Sequence, residues 1–148
     1  MHASTTVAQV LRSKGSQIFS VAPDDTVLRA LEVMADRNVG ALLVLERGRL
    51  AGILSERDYA RKVILEGRAS RDTLVREVMT SELVTVRPSV SVTQCMELMT
   101  DHRIRHLPVV DDGGALQGVL SVGDVVKATI AEQATLIEQL ESYIRGAG

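Results

Sequence analysis

Residues 52–58, GILSERD, and residues 118–124, GVLSVGD, decide the fold of this chain, because both follow the pattern Gly-apolar-apolar-Ser-x-x-Asp. In each copy a short apolar stretch leads into Ser-x-x-Asp, which is typical of a helix start with serine as the N-cap. The pattern therefore predicts a strand that runs directly into a helix. A single Ser-x-x-Asp indicates no more than a helix cap, so the repetition is the informative feature.

The repetition extends well beyond these two motifs. Residues 21–45, VAPDDTVLRALEVMADRNVGALLVL, match residues 86–110, VRPSVSVTQCMELMTDHRIRHLPVV, at a constant offset of 65. After one inserted residue in the second copy, residues 50–58 match residues 116–124 at an offset of 66. With only two copies, the sequence predicts a pseudo-symmetric pair and not a solenoid.

Each copy predicts the element order β-α-β-β-α. A short first strand precedes a proline, a helix with one apolar face follows, and two apolar runs separated by a glycine-containing turn form a hairpin. A copy of about 50 residues buries too little surface to be stable alone, so we expect the two copies to pack sheet to sheet. The fold class is α/β (α+β). The expected strands are 18–21, 41–45 and 50–54 in the first copy, and 83–86, 107–110 and 116–120 in the second.

The predicted domain organisation places two copies between less regular segments. It comprises an N-terminal segment 1–16, the first copy 17–66, a linker 67–81, the second copy 82–130 and a C-terminal helix extension 131–148. That helix carries Ile130, Ile137 and Ile144 at seven-residue spacing, with Leu140 between the last two. Such a seam predicts a packing partner, which is either a second copy of the chain or the chain's own core.

Composition excludes several classes of function. The chain has 148 residues, 45% of them apolar, a net charge of −2, 2% aromatic residues and no tryptophan, so it offers neither a basic patch nor stacking platforms for nucleic acid. The single cysteine, Cys95, excludes an internal disulfide and a multi-cysteine metal site, and its place on an apolar helix face predicts a core residue. No stretch is long and apolar enough for a membrane span, and the N-terminus is too polar for a signal peptide. We therefore expect a cytoplasmic protein.

The two motifs also suit a chemical role. A helix N-terminus presents unpaired N–H groups to a phosphate, with help from the serine hydroxyl. One turn further on, Asp58 or Asp124 is placed to accept hydrogen bonds from the two hydroxyls of a ribose, and Gly52 or Gly118 leaves room for close approach.

The doubled unit resembles a CBS domain pair, also called a Bateman module, over roughly residues 17–130. The stretches SERDYARK (55–62) and GRAS (67–70) resemble in particular the stand-alone bacterial and plant type, which has no attached enzyme. The resemblance implies a sensor that binds an adenine nucleotide, forms a homodimer and signals energy or redox state to an unknown downstream protein. It does not choose among AMP, ADP, ATP, NAD(H) and S-adenosylmethionine.

The resemblance also implies two ligand clefts related by a pseudo-twofold axis. Arg105 and His106 offer phosphate contacts to the first cleft only, so we expect the clefts to differ in ligand. Positive charge near the first motif comes from Arg57, Arg61 and Lys62, unless these form a solvated helix face. The first cleft is expected to use Ser55, Asp58, Leu83, Val84, Arg105 and His106, and the second Ser121, Asp124, Ile18, Phe19, Gly40 and Ala41.

Two other functions stay open at this point. The chain is either an interaction module with vestigial clefts or, with less support, a small hydrolase that uses Ser55 or Ser121 with His106 and an aspartate. A Gly-x-Ser-x-Gly elbow, a Walker loop and metal-ligand spacing are all missing from the sequence, so we expect no catalytic residue and no metal. His2 and His102 receive no role.

Overall fold

The computed structural model describes residues 4–15 and 17–147, and for Ala147 the backbone alone. The predicted N-terminal segment therefore lies partly outside the described residues, as does His2. The elements in chain order are α1 (Val7–Lys14), β1 (Ser20–Val21), α2 (Val27–Arg37), β2 (Ala41–Glu46), β3 (Arg49–Ser55), α3 (Glu56–Tyr59), α4 (Val75–Val78), α5 (Val92–His102), β4 (His106–Val110), β5 (Leu116–Ser121) and α6 (Val122–Ala147). A wider π-helical turn, Ala60–Ile64, continues α3.

The chain divides into two compact units. The first-copy unit is Gln17–Leu83, and the second-copy unit joins the described part of residues 1–15 to residues 84–147. Both are mixtures of helices with one small sheet, as the sequence predicts. The segments expected to lie outside the copies are thus part of the units, because α1 belongs to the second-copy unit and α4 to the first-copy unit.

The first-copy unit has a three-stranded sheet in the order β1-β2-β3. β1 pairs in parallel with β2, and β2 and β3 form the predicted antiparallel hairpin. Thr26 caps α2 by accepting a hydrogen bond from the N–H of Arg29, and the apolar face of α2 is buried. This face is formed by Val27, Ala30 and Met34, and it covers the sheet residues Leu42, Val44 and Leu54.

The second-copy unit has the same helix and hairpin but a smaller sheet. Ser91 and Gln94 form the predicted reciprocal cap of α5, and β4 pairs with β5. The expected strand 83–86 is reduced to one bridge between Val86 and Val109. Pro108 explains the difference, since it lacks the N–H that Leu43 donates to the carbonyl of Phe19 (3.2 Å) in the first-copy unit.

The two short helices occupy equivalent places. In the first-copy unit the N–H of Val75 at the start of α4 donates to the carbonyl of Asp25 (2.8 Å). In the second-copy unit the N–H of Val7 at the start of α1 donates to the carbonyl of Val90 (2.8 Å), and Val90 lies 65 residues after Asp25. Each copy is therefore completed by a short helix that precedes or follows it in the chain.

The predicted C-terminal helix is present as the distal part of α6, which runs unbroken from Val122. Val125 is fully buried in the second-copy core, but the seam residues beyond it are exposed. Ile130 is 62% exposed, Ile144 is 69% exposed, and Ile137 and Leu140 are each just over half exposed. The seam therefore does not fold back onto the described core, and a contact with a second copy of the chain stays a prediction.

Candidate ligand-binding site

Ser55 and Asp58 form the first motif at the junction of β3 and α3. The Oγ of Ser55 accepts a hydrogen bond from the N–H of Asp58 (3.2 Å), and Asp58 Oδ2 accepts from the N–H and the Oγ of Ser55 (3.0 Å each). This is the reciprocal cap that the sequence predicts. It fixes the carboxylate at the strand end, with 13% of the Asp58 side chain exposed.

The second carboxylate oxygen of Asp58 faces two further donors. Asp58 Oδ1 lies 3.1 Å from the Oγ1 of Thr80 and 3.1 Å from the Nζ of Lys62, which also donates to the carbonyl of Val78 (3.0 Å). Lys62 is therefore engaged with the motif itself. Arg57 and Arg61 are exposed, so they fit both a phosphate contact and a solvated helix face.

Ser121 and Asp124 repeat the geometry at the junction of β5 and α6. The N–H of Ser121 donates to Asp124 Oδ2 (2.8 Å), and Ser121 Oγ accepts from the N–H of Asp124 (3.1 Å). Here the cation comes from α1, because the Nζ of Lys14 lies 2.6 Å from Asp124 Oδ2 and donates to the carbonyl of Val119 (3.0 Å). Burial alone would raise the pKa of Asp124, but the hydrogen bonds from Lys14 and Ser121 outweigh it and lower that pKa.

His106 lies beside the second motif, since it is the register partner of Ser121 in the β4–β5 hairpin. Burial is the main reason why the pKa of His106 is lowered, and the charge of Arg105 adds to the effect. The shift favours the neutral imidazole. The contact of Arg105 and His106 with a ligand held by Ser55 and Asp58 stays a prediction.

The remaining predicted contacts lie near strand ends. Ala41 is the register partner of Ser55, and the carbonyl of Gly40 accepts from the N–H of Glu56 (3.0 Å). The ring of Phe19 carries the guanidinium of Arg37 5.2 Å from its centre. All six of these small and apolar residues keep part of their surface exposed, which a ligand contact needs: Ile18, Phe19, Gly40, Ala41, Leu83 and Val84.

The motif glycines make room for protein groups. A Cβ at Gly52 would lie 2.8 Å from both the Sδ of Met79 and the carbonyl oxygen of Thr80. A Cβ at Gly118 would lie 2.9 Å from a methyl group of Leu11 in α1. The sequence predicts that a ligand approaches these glycines closely. In the structure Met79 and Thr80 approach Gly52, and Leu11 of α1 approaches Gly118.

The sequence reasoning did not identify Thr80 and Lys14, which contact the two motif aspartates. Both precede a copy, and neither belongs to the repeated pattern. Their only signal is position, because both lie in the segment that leads into a first strand. Among residues 4–15 and 17–147, no group of three or more His, Cys, Asp or Glu side chains is placed to hold a metal ion, and no helix could span a bilayer.

Two CBS-domain proteins are similar to this chain over most of its length. It is 45% identical over 152 residues to the mitochondrial CBS domain-containing protein CBSX3 of Arabidopsis thaliana, with 97% of this chain and 73% of the relative covered. A solved CBS-domain protein from Burkholderia ambifaria is 51% identical, with a TM-score of 0.83 over 87% of this chain and 96% of the other.

A more distant structure shares the fold. The CBS domain pair of protein MJ0100, solved in complex with 5′-methylthioadenosine and S-adenosyl-L-methionine, has a TM-score of 0.78 and 21% identity, and 88% of this chain and 99% of the other are covered. The model of the CBS domain family matches residues 7–65 and 75–131. These two matches include α1 with the first copy and α4 with the second, and together they cover most of the chain. This chain is therefore a member of the CBS domain family, with two CBS domains in tandem.

Proposed function

We propose that the chain is a regulatory module that binds an adenine nucleotide, AMP, ADP, ATP or NAD(H), and changes conformation to signal energy or redox state to a partner. CBS domain pairs generally are regulatory and bind adenosine-containing ligands. The observation that carries the proposal is the duplicated motif geometry. Two aspartates are fixed by equivalent caps at equivalent strand ends, and both keep part of the carboxylate exposed.

Each carboxylate has the chemistry that a ribose needs. An ionised carboxylate only accepts hydrogen bonds, and its two oxygens match the two adjacent hydroxyls of a ribose. The lowered pKa of Asp124 keeps this group ionised well below neutral pH. In this proposal Asp58 and Asp124 bind ribose, while the half-exposed apolar residues Leu83 and Val84, or Ile18 and Phe19, flank the base.

The two clefts are proposed to differ in the charge they offer to phosphates. Arg105 and His106 precede or begin β4, whereas the equivalent positions in the first copy are Gly40 and Ala41, which carry no charge. Arg105 offers a guanidinium with five N–H donors, and His106, whose pKa is lowered by burial, offers a hydrogen-bonding imidazole. The cleft that contains Arg105 therefore suits the more highly phosphorylated ligand.

An enzymatic role is less well supported. In both motifs the serine Oγ accepts a hydrogen bond from the aspartate N–H of its own helix cap. A nucleophilic serine is activated by a base that takes its proton. In the first motif the Ser55 hydroxyl instead donates to Asp58 Oδ2, the oxygen that also accepts from the N–H of Ser55 in the helix cap, so the contact serves the cap. We therefore propose that the chain itself catalyses no reaction and that its effect is exerted on a separate protein in the cytoplasm.

The exposed seam of α6 supports self-association. The four seam residues lie on one side of a helix and are each more than half exposed. Leaving that apolar area in water costs about 25 cal/mol for each Å². In a twofold dimer the seam of one chain can pack against the same seam of the other chain. We propose a homodimer in which α6 contributes to the contact.

Thermal unfolding with a ligand panel tests the nucleotide proposal. Ligand at 100 times its dissociation constant should raise the free energy of unfolding by ~2.7 kcal/mol. The matched control is the double variant Asp58→Asn and Asp124→Asn, because asparagine keeps an oxygen for the helix cap but loses the charge. A vestigial module is indicated if no adenine compound at millimolar concentration shifts the melting temperature of the unmodified chain.

A further inference from the structure

The two motif aspartates are held by different kinds of donor. In the first-copy unit, the N–H of Thr80 donates to the carbonyl of Ile53 (2.9 Å) and its Oγ1 donates to Asp58 (3.1 Å). In the second-copy unit, the Nζ of Lys14 donates to the carbonyl of Val119 (3.0 Å) and to Asp124 (2.6 Å). Val119 lies 66 residues after Ile53, so the acceptors are equivalent. One ammonium thus stands where a backbone amide and a hydroxyl stand in the first copy.

Thr80 and Lys14 differ in how easily a ligand could displace them from the aspartates that they contact. Thr80 is held by a second backbone bond, from the N–H of Ile53 to the carbonyl of Thr80 (3.0 Å), so it cannot move without breaking the bridge. Lys14 is attached by a flexible side chain that is 34% exposed. Displacing such a lysine from its carboxylate costs little, since a solvent-exposed ion pair contributes little to stability.

The cations also differ in origin. Lys62 lies four residues after Asp58 on the same helical segment, and it stays beside the motif whatever it contacts. The equivalent position in the second copy is Ala128, which carries no charge. Asp124 therefore takes its cation from α1, 110 residues earlier in the chain, and only the second motif is linked to another element by its charge pair.

We propose that Lys14 is an internal ligand of the second motif, which a ribose-bearing ligand must displace from Asp124. This rests on the proposed function, in which Asp124 binds ribose. The two hydroxyls of a ribose need both carboxylate oxygens, and Asp124 Oδ2 already accepts from the N–H of Ser121 and from the Nζ of Lys14, so the ribose and the ammonium compete for Oδ2. Ligand binding at this motif and docking of the C-terminal end of α1 are then antagonistic, and each weakens the other to the same extent.

The consequence for the fold is local. α1 ends at Lys14, and its last turn also carries Leu11, which packs against Gly118 of β5. Release of the Lys14 ammonium breaks its contact with Asp124 but keeps the packing of Leu11 against Gly118. Binding at the second motif therefore loosens the end of α1 without unfolding the unit, which gives the module a moving part that the first motif lacks.

Adenosine is the probe that isolates this competition, because it has the ribose diol and no charge for Lys14 to attract. The titration uses the full chain with Asp58→Asn, so that only the second motif binds. Lys14→Met should bind adenosine roughly threefold to fivefold more tightly, as expected for loss of a partly exposed ion pair. Lys14→Arg should restore the unmodified affinity, and Arg12→Met, which removes an exposed cation from the same helix, should leave it unchanged.

Amide hydrogen exchange gives the second readout. Adenosine should speed exchange in residues 10–15 of the Asp58→Asn protein and have no such effect in its Lys14→Met derivative. Unchanged or weaker adenosine binding by Lys14→Met overturns the inference, and Lys14→Gln repeats the test if the methionine variant does not fold.

A further variant distinguishes this inference from the proposed function. Adding Asp124→Asn must abolish adenosine binding if that function is right. Binding that depends on Asp124 but is indifferent to Lys14 refutes the internal ligand alone. Adenosine binding that survives without Asp124, or absence of both adenosine and AMP binding in every variant, refutes the proposed function and the internal ligand together.

Discussion

Replacing Gly52 by alanine tests the packing of the first motif against the segment that follows α4. The new Cβ would lie 2.8 Å from the carbonyl oxygen of Thr80, which is backbone held in a bridge with Ile53. It would also lie 2.8 Å from the Sδ of Met79. A methionine side chain can turn away, but the bridged carbonyl cannot move without loss of its hydrogen bonds, so we expect Gly52→Ala to strain the unit.

The magnitude follows from two opposing effects. Overpacking of a tightly packed site costs about 1–3 kcal/mol, whereas replacing glycine by alanine in a conformation that alanine tolerates stabilises a protein by about 0.4–1 kcal/mol through the unfolded chain. The net loss for Gly52→Ala should be about 1–2 kcal/mol. At this chain length each kcal/mol lowers the melting temperature by roughly 2–4 °C.

Gly118→Ala is the matched control. Its Cβ would meet only methyl groups of Leu11, at 2.9 Å and 3.3 Å, and that side chain can shift. We expect a loss below about 1 kcal/mol. Urea unfolding of both variants provides the comparison, and a Gly118→Ala protein that is less stable than Gly52→Ala would refute the reasoning.

Three further outcomes are expected. The pKa of His106 is lowered from its ordinary value of 6.5, so protonation favours the unfolded chain, and the free energy of unfolding should fall as pH drops below about 6.5. The urea midpoint of His106→Gln should therefore change less between pH 7.5 and pH 5.5 than that of the unmodified chain. Burial raises the pKa of Cys95 to about 11, so a thiol reagent at pH 8 should label it in urea but not in the native protein. Sedimentation at micromolar concentration should give a dimer that weakens on truncation after Lys127, and a 16.0 kDa monomer at all concentrations would exclude the dimer.

Much of the fold could be predicted because it is encoded locally and twice. Thr26 and Ser91 precede an apolar helix pattern, Ser55 begins a Ser-x-x-Asp motif, and each caps the helix expected of it. The hairpins follow from two apolar runs joined by a glycine-containing turn. The repeat supports the predicted element order further, since two similar patterns at equal spacing predict the same structure.

The short helices and the shortened first strand could not be predicted in the same way. α4 has four residues, which is too few for a periodic pattern, and nothing in the sequence of α1 says which copy it completes. The loss of the strand at 83–86 depends on one missing N–H at Pro108, which acts only through the pairing of residues distant in the chain.

The contacts of the candidate site also fall into local ones, which the sequence predicts, and long-range ones, which it does not. Ser55, Asp58, Ser121 and Asp124 were predictable because their hydrogen bonds join residues three apart. The contact between Lys14 and Asp124 joins residues 110 apart and leaves no periodic signal. Only the fold brings α1 to the end of β5, so the electrostatic difference between the two motifs could be recognised only in the structure.

Calorimetric titration with AMP tests the central claim most directly, since it counts nucleotides and identifies the residues that hold them. Each single variant, Asp58→Asn or Asp124→Asn, should remove one binding site at unchanged fold, with a loss of about 1.5–3 kcal/mol for each charge-assisted contact. The double variant should bind no AMP at concentrations that saturate the unmodified chain. AMP binding of undiminished affinity and stoichiometry in the double variant would contradict the claim that the two motif aspartates are the nucleotide-binding groups of this CBS domain pair.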